Sequence, residues 1–145
     1  MELTRNLTRS MEGIRDVEAR MRAAVRSHVR FHLERQKENF ISNSELRGLN
    51  AVNFRAVVAL RDGYERIIQK VIREGMAEGV FPAGDVKILS YAILTLCTAG
   101  ASWFNPSGRL SIDEIAHIYE AFIISGLKRG DGWSGGRMLH GDLMP

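Results

Sequence analysis

The chain has a single cysteine, Cys97, in 145 residues, which excludes an internal disulfide and fits a reducing cytoplasm. Its first residues set Arg5 and Arg9 among Leu3 and Leu7 and hold no apolar stretch of signal-peptide length, so secretion is not expected. Charge of one sign is not in excess either. Against 20 Lys+Arg stand 17 Asp+Glu, a net +3, with acids and bases interspersed, and this balance does not predict nucleic-acid binding. The long uncharged stretch between Lys87 and Arg109 is diluted by Ser90, Thr95, Thr98, Gly100 and Ser102. Its apolar part is shorter than the roughly 20 residues a bilayer span needs, and no membrane role is expected.

Catalytic vocabulary is missing as well. There is no Gly-rich phosphate loop, no Ser or Cys nucleophile in a recognisable setting, and no pair of carboxylates clustered on one apolar face. We therefore expect no enzyme, no catalytic residues and no cofactor. Neither β-alternation nor an internal repeat is visible, so the chain reads as one all-α domain, long enough to bury a core unaided.

What the chain does have is helical periodicity. Ile14, Val17, Met21, Val25, Val29 and Leu33 recur at three- and four-residue steps, which predicts an amphipathic first helix from about Glu12 to Lys37, packed along one face. Asn43 and Ser44 suit the cap of a short turn through Leu49. From Ala51, the positions Phe54, Val57, Val58, Tyr64, Ile67, Ile68, Val71, Ile72 and Gly75 form one stripe of a long helix. Gly79 supplies its left-handed cap, and Pro82 stops it. Asp85 caps a helix to about Phe104 that is apolar almost all round and requires cover on more than one side, the second side from another subunit.

Asn105-Pro106-Ser107-Gly108 has the residues of a type I turn, predicting two helices joined tightly and antiparallel. Ser111 and Glu114 have capping-box spacing at the start of the final helix. Only Asp113, His117 and Glu120 make a polar stripe there, against Ile112, Ile115, Ile118, Tyr119, Phe122, Ile123 and Leu127. After Arg129 periodicity stops, and Gly130, Gly132, Gly135 and Gly136 predict a flexible tail over 130–145.

Several side chains carry two readings. Arg15, Arg20, Arg22, Arg26, Arg30 and Arg35 crowd the first third. A solvated helix face explains them more simply than phosphate binding. His28 and His32, four apart, could share a metal, line a cavity as polar groups, or lie at the surface; with no third ligand at helical spacing, no metal is expected. Arg61 falls within the long apolar stripe and so requires a partner, either an internal carboxylate or a ligand anion. Cys97 reads as a small core residue, having no base beside it to activate it. Gly100, Ala101 and Ser102 let helices approach closely, and Trp103 and Phe104 are core, pocket wall, or both.

A series of motifs in order carries a resemblance: Ser44-Glu45-Leu46-Arg47, Arg61-Asp62-Gly63-Tyr64-Glu65, Glu74-Gly75, and Glu78-Gly79-Val80-Phe81. Trp103-Phe104-Asn105-Pro106-Ser107-Gly108-Arg109-Leu110-Ser111 and Gly126-Leu127 complete it. Over roughly residues 12 to 129 the chain resembles the C-terminal half of TetR/AcrR-family transcriptional regulators, most specifically a sub-group that includes regulators of lipid and steroid catabolism.

The resemblance implies an effector-binding and dimerisation domain at 12–129, preceded at 1–11 by the remnant of a connecting helix. The family's N-terminal helix-turn-helix, through which operator DNA would be read, is not represented in these residues, as in a fragment or a truncation. It further implies a two-fold homodimer closed by a four-helix bundle, with Ile93, Leu96, Cys97, Gly100, Ile115, Ile118, Phe122 and Ile123 at the interface. A hydrophobic effector (acyl thioester, fatty acid or steroid-like molecule) is expected among Val25, His28, Val29, His32, Phe54, Val57, Val58, Arg61, Leu94, Thr98 and Trp103. Its binding would alter DNA contact allosterically. The competing readings are a stand-alone helical carrier of a hydrophobic molecule with no DNA role, and a metal-dependent enzyme built on His28 and His32.

Overall fold

A computed structural model describes residues 2–36 and 51–129, with 51–60 as backbone alone. The turn expected at Asn43 to Leu49 and the tail expected over 130–145 lie outside the described residues. Among those described there are five α-helices and no strand: α1 (Glu2–Met11), α2 (Val17–Glu34), α3 (Ala51–Ala77), α4 (Val86–Ala99) and α5 (Ile112–Lys128).

The first helix expected from about Glu12 to Lys37 starts later, at Val17, and follows a separate helix over Glu2–Met11. In α1, Leu3 and Leu7, one turn apart, are buried. The chain then breaks at Gly13, whose φ of 76° is the left-handed conformation that glycine adopts without strain. Asp16, in extended conformation, restarts the helix by accepting a hydrogen bond from the Ala19 N–H at 2.8 Å. Ile14, inside the non-helical segment, keeps helical spacing with Val17, so periodicity alone conceals where α2 begins.

The expectation that the first helix packs along one face also fails for α2. It is the central element, touching α1, α3, α4 and α5, and it buries Val17, Met21, Ala24, Val25, Val29 and Leu33 together with His28 and His32.

The long α3 buries Ile68, Val71 and Ile72. At its end Gly79 takes φ 75°. The Gly79 N–H donates to the Met76 carbonyl and the Val80 N–H to the Gly75 carbonyl, at 3.2 and 2.9 Å. These two crossed bonds satisfy carbonyls that the helix would otherwise leave open. Phe81 folds back and is buried.

Asp85 caps α4 through the Ile88 N–H at 3.0 Å, as expected. The helix proper stops at Ala99, short of Phe104, and the chain tightens into a 3₁₀ turn over Gly100–Ser102. The Gln36 amide, from just beyond α2, secures that region by donating to the carbonyls of Ala101 and Phe104. In the following turn the Gly108 N–H donates to the Asn105 carbonyl at 2.8 Å, and Asn105 Oδ1 accepts from the Ser107 N–H. The Ser111–Glu114 capping box is present in both directions, each bond 3.1 Å. This turn joins α4 to α5, but α5 rests chiefly on α2, and α4 on α3 and α2, rather than on each other.

The arginine-rich face is exposed at Arg15, Arg26 and Arg30, as expected, but the α2–α5 contact adds ion pairs to it. Lys128 meets Glu18 at 3.1 Å, Arg22 and Arg26 both reach Glu120 at 3.4 and 3.2 Å, and Arg30 reaches Asp113 at 3.1 Å. Elsewhere Arg20 pairs with Glu74 of α3, and Arg35 with Glu2 of α1. The narrow polar stripe of the last helix thus faces these arginines, and Glu120 within it is buried.

Candidate functional site

A cluster of inward-facing polar residues lies where α2, α3 and α4 converge. His28 is 1% exposed. Its ring packs edge-to-face on His32 at 4.6 Å between centroids and lies 5.7 Å from the Tyr64 ring of α3. His28 Nε2 is 3.4 Å from Thr98 Oγ1 of α4. Burial, reinforced by the neighbouring His32, lowers the His28 pKa to about 3, because an imidazolium here would lose its hydration. The ring is therefore neutral at physiological pH. Tyr64 is pushed above the ordinary phenol value by burial, with the Arg61 guanidinium pulling the other way.

The site residues expected from the sequence divide into groups. Val25, His28, Val29, His32 and Leu94 are buried around this junction, and Thr98 is half-buried beside it. Arg61 is exposed and hydrogen-bonds to Tyr64, so it is not the enclosed cation that its place in the stripe implied. Periodicity reports which face of a helix a residue occupies, not whether anything covers that face. Trp103 is 56% exposed and stacks on Tyr119 at 6.5 Å; it does not line the junction. Phe54, Val57 and Val58 lie on α3 where only the backbone is described.

The interface residues divide too. Ile93, Cys97, Gly100, Ile115 and Ile123 are buried within the protomer itself. Cys97 is fully covered, and burial raises its thiol to about 12, so it is inert. Leu96, Ile118 and Phe122 are exposed, and with them Ile88, Tyr91 and Trp103, which carry the exposed apolar surface of α4 and α5. Ile88 and Tyr91 are three apart, and Ile118 and Phe122 four apart. That spacing was the available signal for an outward stripe on each helix.

Two clefts lie away from this junction. One of about 380 Å³ is lined by Met11, Ile14, Ile67 and Val71 with Arg20, Lys70 and Glu74 at its edge. Another of about 450 Å³ between α1 and α2 carries Arg9, Arg26, Arg30 and Arg35, and the last three of these are already paired with carboxylates. Among the described residues no group of three or more His, Cys, Asp or Glu is placed to hold a metal. No described helix is long and apolar enough to cross a membrane.

Residues 15–127 match the family model of the tetracyclin repressor-like C-terminal domain. The chain belongs to this family. Solved structures agree in fold. The TetR-family regulator PfmR of Thermus thermophilus superposes with a TM-score of 0.79 at 27% identity, over 88% of this chain and 69% of that protein. A tetR-family regulatory protein from Rhodococcus RHA1 gives 0.80 at 19%, over 87% and 66%. The ketosteroid transcriptional regulator KstR2 of Mycobacterium tuberculosis gives 0.79 at 17%, over 88% and 66%. The chain thus spans about two thirds of the length of each regulator. No curated protein sequence matches it.

Proposed function

We propose that residues 12–129 form the effector-sensing and dimerising domain of a TetR-family transcriptional regulator, with residues 1–11 the end of the helix that would connect it to a DNA-reading head. The observation that carries this reading is the family match over 15–127. Two features of the fold support it. Polar groups from three helices meet in an otherwise apolar interior at His28, Tyr64 and Thr98, the arrangement of a small-molecule site that is mostly apolar with a few orienting groups. Phe122, Ile118, Ile88 and Trp103 leave α4 and α5 with exposed apolar surface, which suits closure of a four-helix bundle by a second copy. The effector is a hydrophobic small molecule, and its occupation of the interior shifts the population of dimer geometries that a DNA-reading head would sample. Operator DNA is contacted only through that head.

Native mass spectrometry of the purified chain tests the reading, since it reports assembly and co-purified ligand in one spectrum. A dimer at micromolar concentration that carries or takes up an apolar small molecule is expected. A monomer that binds none of a panel of fatty acids, acyl thioesters, alcohols and sterols would defeat it.

A further inference from the structure

Thr98 determines which nitrogen of His28 carries the hydrogen. The Thr98 hydroxyl donates its one hydrogen to the Leu94 carbonyl, 2.8 Å away, leaving its oxygen only to accept. His28 Nε2, 3.4 Å from that oxygen, must therefore be the N–H that donates to it. In a neutral imidazole the other nitrogen is then a bare lone pair. Burial keeps the ring neutral, its pKa near 3. His28 Nδ1 is thus an acceptor, and it is buried with no donor in hydrogen-bonding reach among the described residues.

A buried acceptor left without a donor is unfavourable, and a group that completes the bond gains accordingly. The core around it is apolar, with Val25, Val29 and Leu94 in the same cluster. An ionised carboxylate offers only lone pairs to this nitrogen and loses its hydration on entry. An ester also offers only acceptors. A hydroxyl or an amide N–H offers the hydrogen that the site is missing.

We infer that the effector presents a neutral hydrogen-bond donor, a hydroxyl or amide N–H on an apolar body, to His28 Nδ1 where α2, α3 and α4 meet; this rests on the sensor reading above. It selects among hydrophobic molecules, favouring alcohols and amides over ionised acids and esters of the same size.

The test uses four probes of one chain length, 1-decanol, decanamide, decanoate and methyl decanoate, titrated calorimetrically into the full chain at pH 7.5. Decanol and decanamide should bind at least about tenfold tighter than the other two, and His28→Phe should bring all four to similar affinity. If decanoate or methyl decanoate binds as tightly as decanol, the donor inference is overturned while the sensor reading stands. If none of the four binds, the donor inference falls, while the wider panel and the assembly state above decide the sensor reading. Should His28→Phe fail to fold, nitrogen-15 NMR of histidine-labelled protein decides independently of any ligand. A neutral His28 with its hydrogen on Nε2 is expected, and a hydrogen on Nδ1 overturns the inference.

Discussion

The Phe81 ring lies directly on Gly75, so closely that a β-carbon on the glycine would come within 2.1 Å of Phe81 Cδ2 and 2.4 Å of Cε2. Phe81 is 1% exposed, and its own N–H is tied to the Gly75 carbonyl at 3.0 Å. The ring therefore has little room to withdraw. Gly75→Ala should gain about 1 kcal/mol of helix propensity and lose more than that through overpacking, which costs ~1–3 kcal/mol. A net loss on the order of 1 kcal/mol in urea unfolding is expected. Gly75→Ala combined with Phe81→Leu should recover part of it, because the two residues share one contact. A Gly75→Ala protein at least as stable as the parent would refute the close approach.

Glu120 joins α5 to α2 by accepting a hydrogen bond from Arg22 and forming an ion pair with Arg26, while itself 4% exposed. Glu120→Ala removes the carboxylate and strands two guanidinium groups. Their side chains are 37% and 50% exposed and partly rehydrate. The loss should therefore be about 1–2 kcal/mol, below the ~3–5 kcal/mol of a fully buried pair. The exposed Arg30–Asp113 pair is the control, since Asp113→Ala should cost less than about 1 kcal/mol. Equal effects of Glu120→Ala and Asp113→Ala in chemical denaturation would remove any special role for Glu120.

Local signals were legible wherever one residue and its near neighbours suffice. The Asp85 cap, the Ser111–Glu114 box, the Gly79 termination and the Asn105–Gly108 turn all depend on contacts within a few positions. The start of α2 was hidden because Ile14, which precedes it, keeps helical spacing with Val17. The pairing of the α2 arginines was hidden because their partners, Glu74, Asp113 and Glu120, are dozens of residues away in sequence. Hydropathy marked Ile93, Cys97, Ile115, Ile118, Ile123 and Phe122 alike as apolar. It could not separate those facing the protomer's own core from those facing out, because that depends on where α2 lies. Arg61 shows the same limit from the other side, a stripe position that the fold leaves exposed.

That separation makes the proposed dimer face testable by substitution. Phe122 is 69% and Ile118 54% exposed in the protomer, whereas Ile123 is 5% exposed. Phe122→Glu or Ile118→Glu should leave the helical circular dichroism intact. By placing an unpaired charge in a closed apolar interface, each should weaken self-association by at least about a hundredfold in sedimentation equilibrium, on the order of 3 kcal/mol. Ile123→Glu should instead destabilise the protomer, burying a charge in its own core. A Phe122→Glu protein that still dimerises at micromolar concentration would place the interface elsewhere.

His28 also sets a pH dependence of stability. Its folded pKa is lowered to about 3 from the ordinary 6.5, first by burial and then by His32. Well above pH 6.5 neither the folded nor the unfolded chain protonates this residue, and its titration does not affect stability. Below 6.5 the unfolded chain takes up a proton that the native chain refuses until about pH 3, so stability falls as pH drops through that window. Each pH unit corresponds to about 1.4 kcal/mol. From about pH 7.5 to about pH 5 this residue should therefore cost ~2 kcal/mol, taken as the difference between the parent and His28→Phe in urea titrations at the two pH values. The groups facing it are His32 on its own helix, Tyr64 on α3 and Thr98 on α4. Tyr64, its pKa raised above 10 by burial, stays protonated throughout this window, and Thr98 has no charge to change. Identical acid sensitivity in the parent and in His28→Phe would show that the ring is protonated, or reached by water, in the native state.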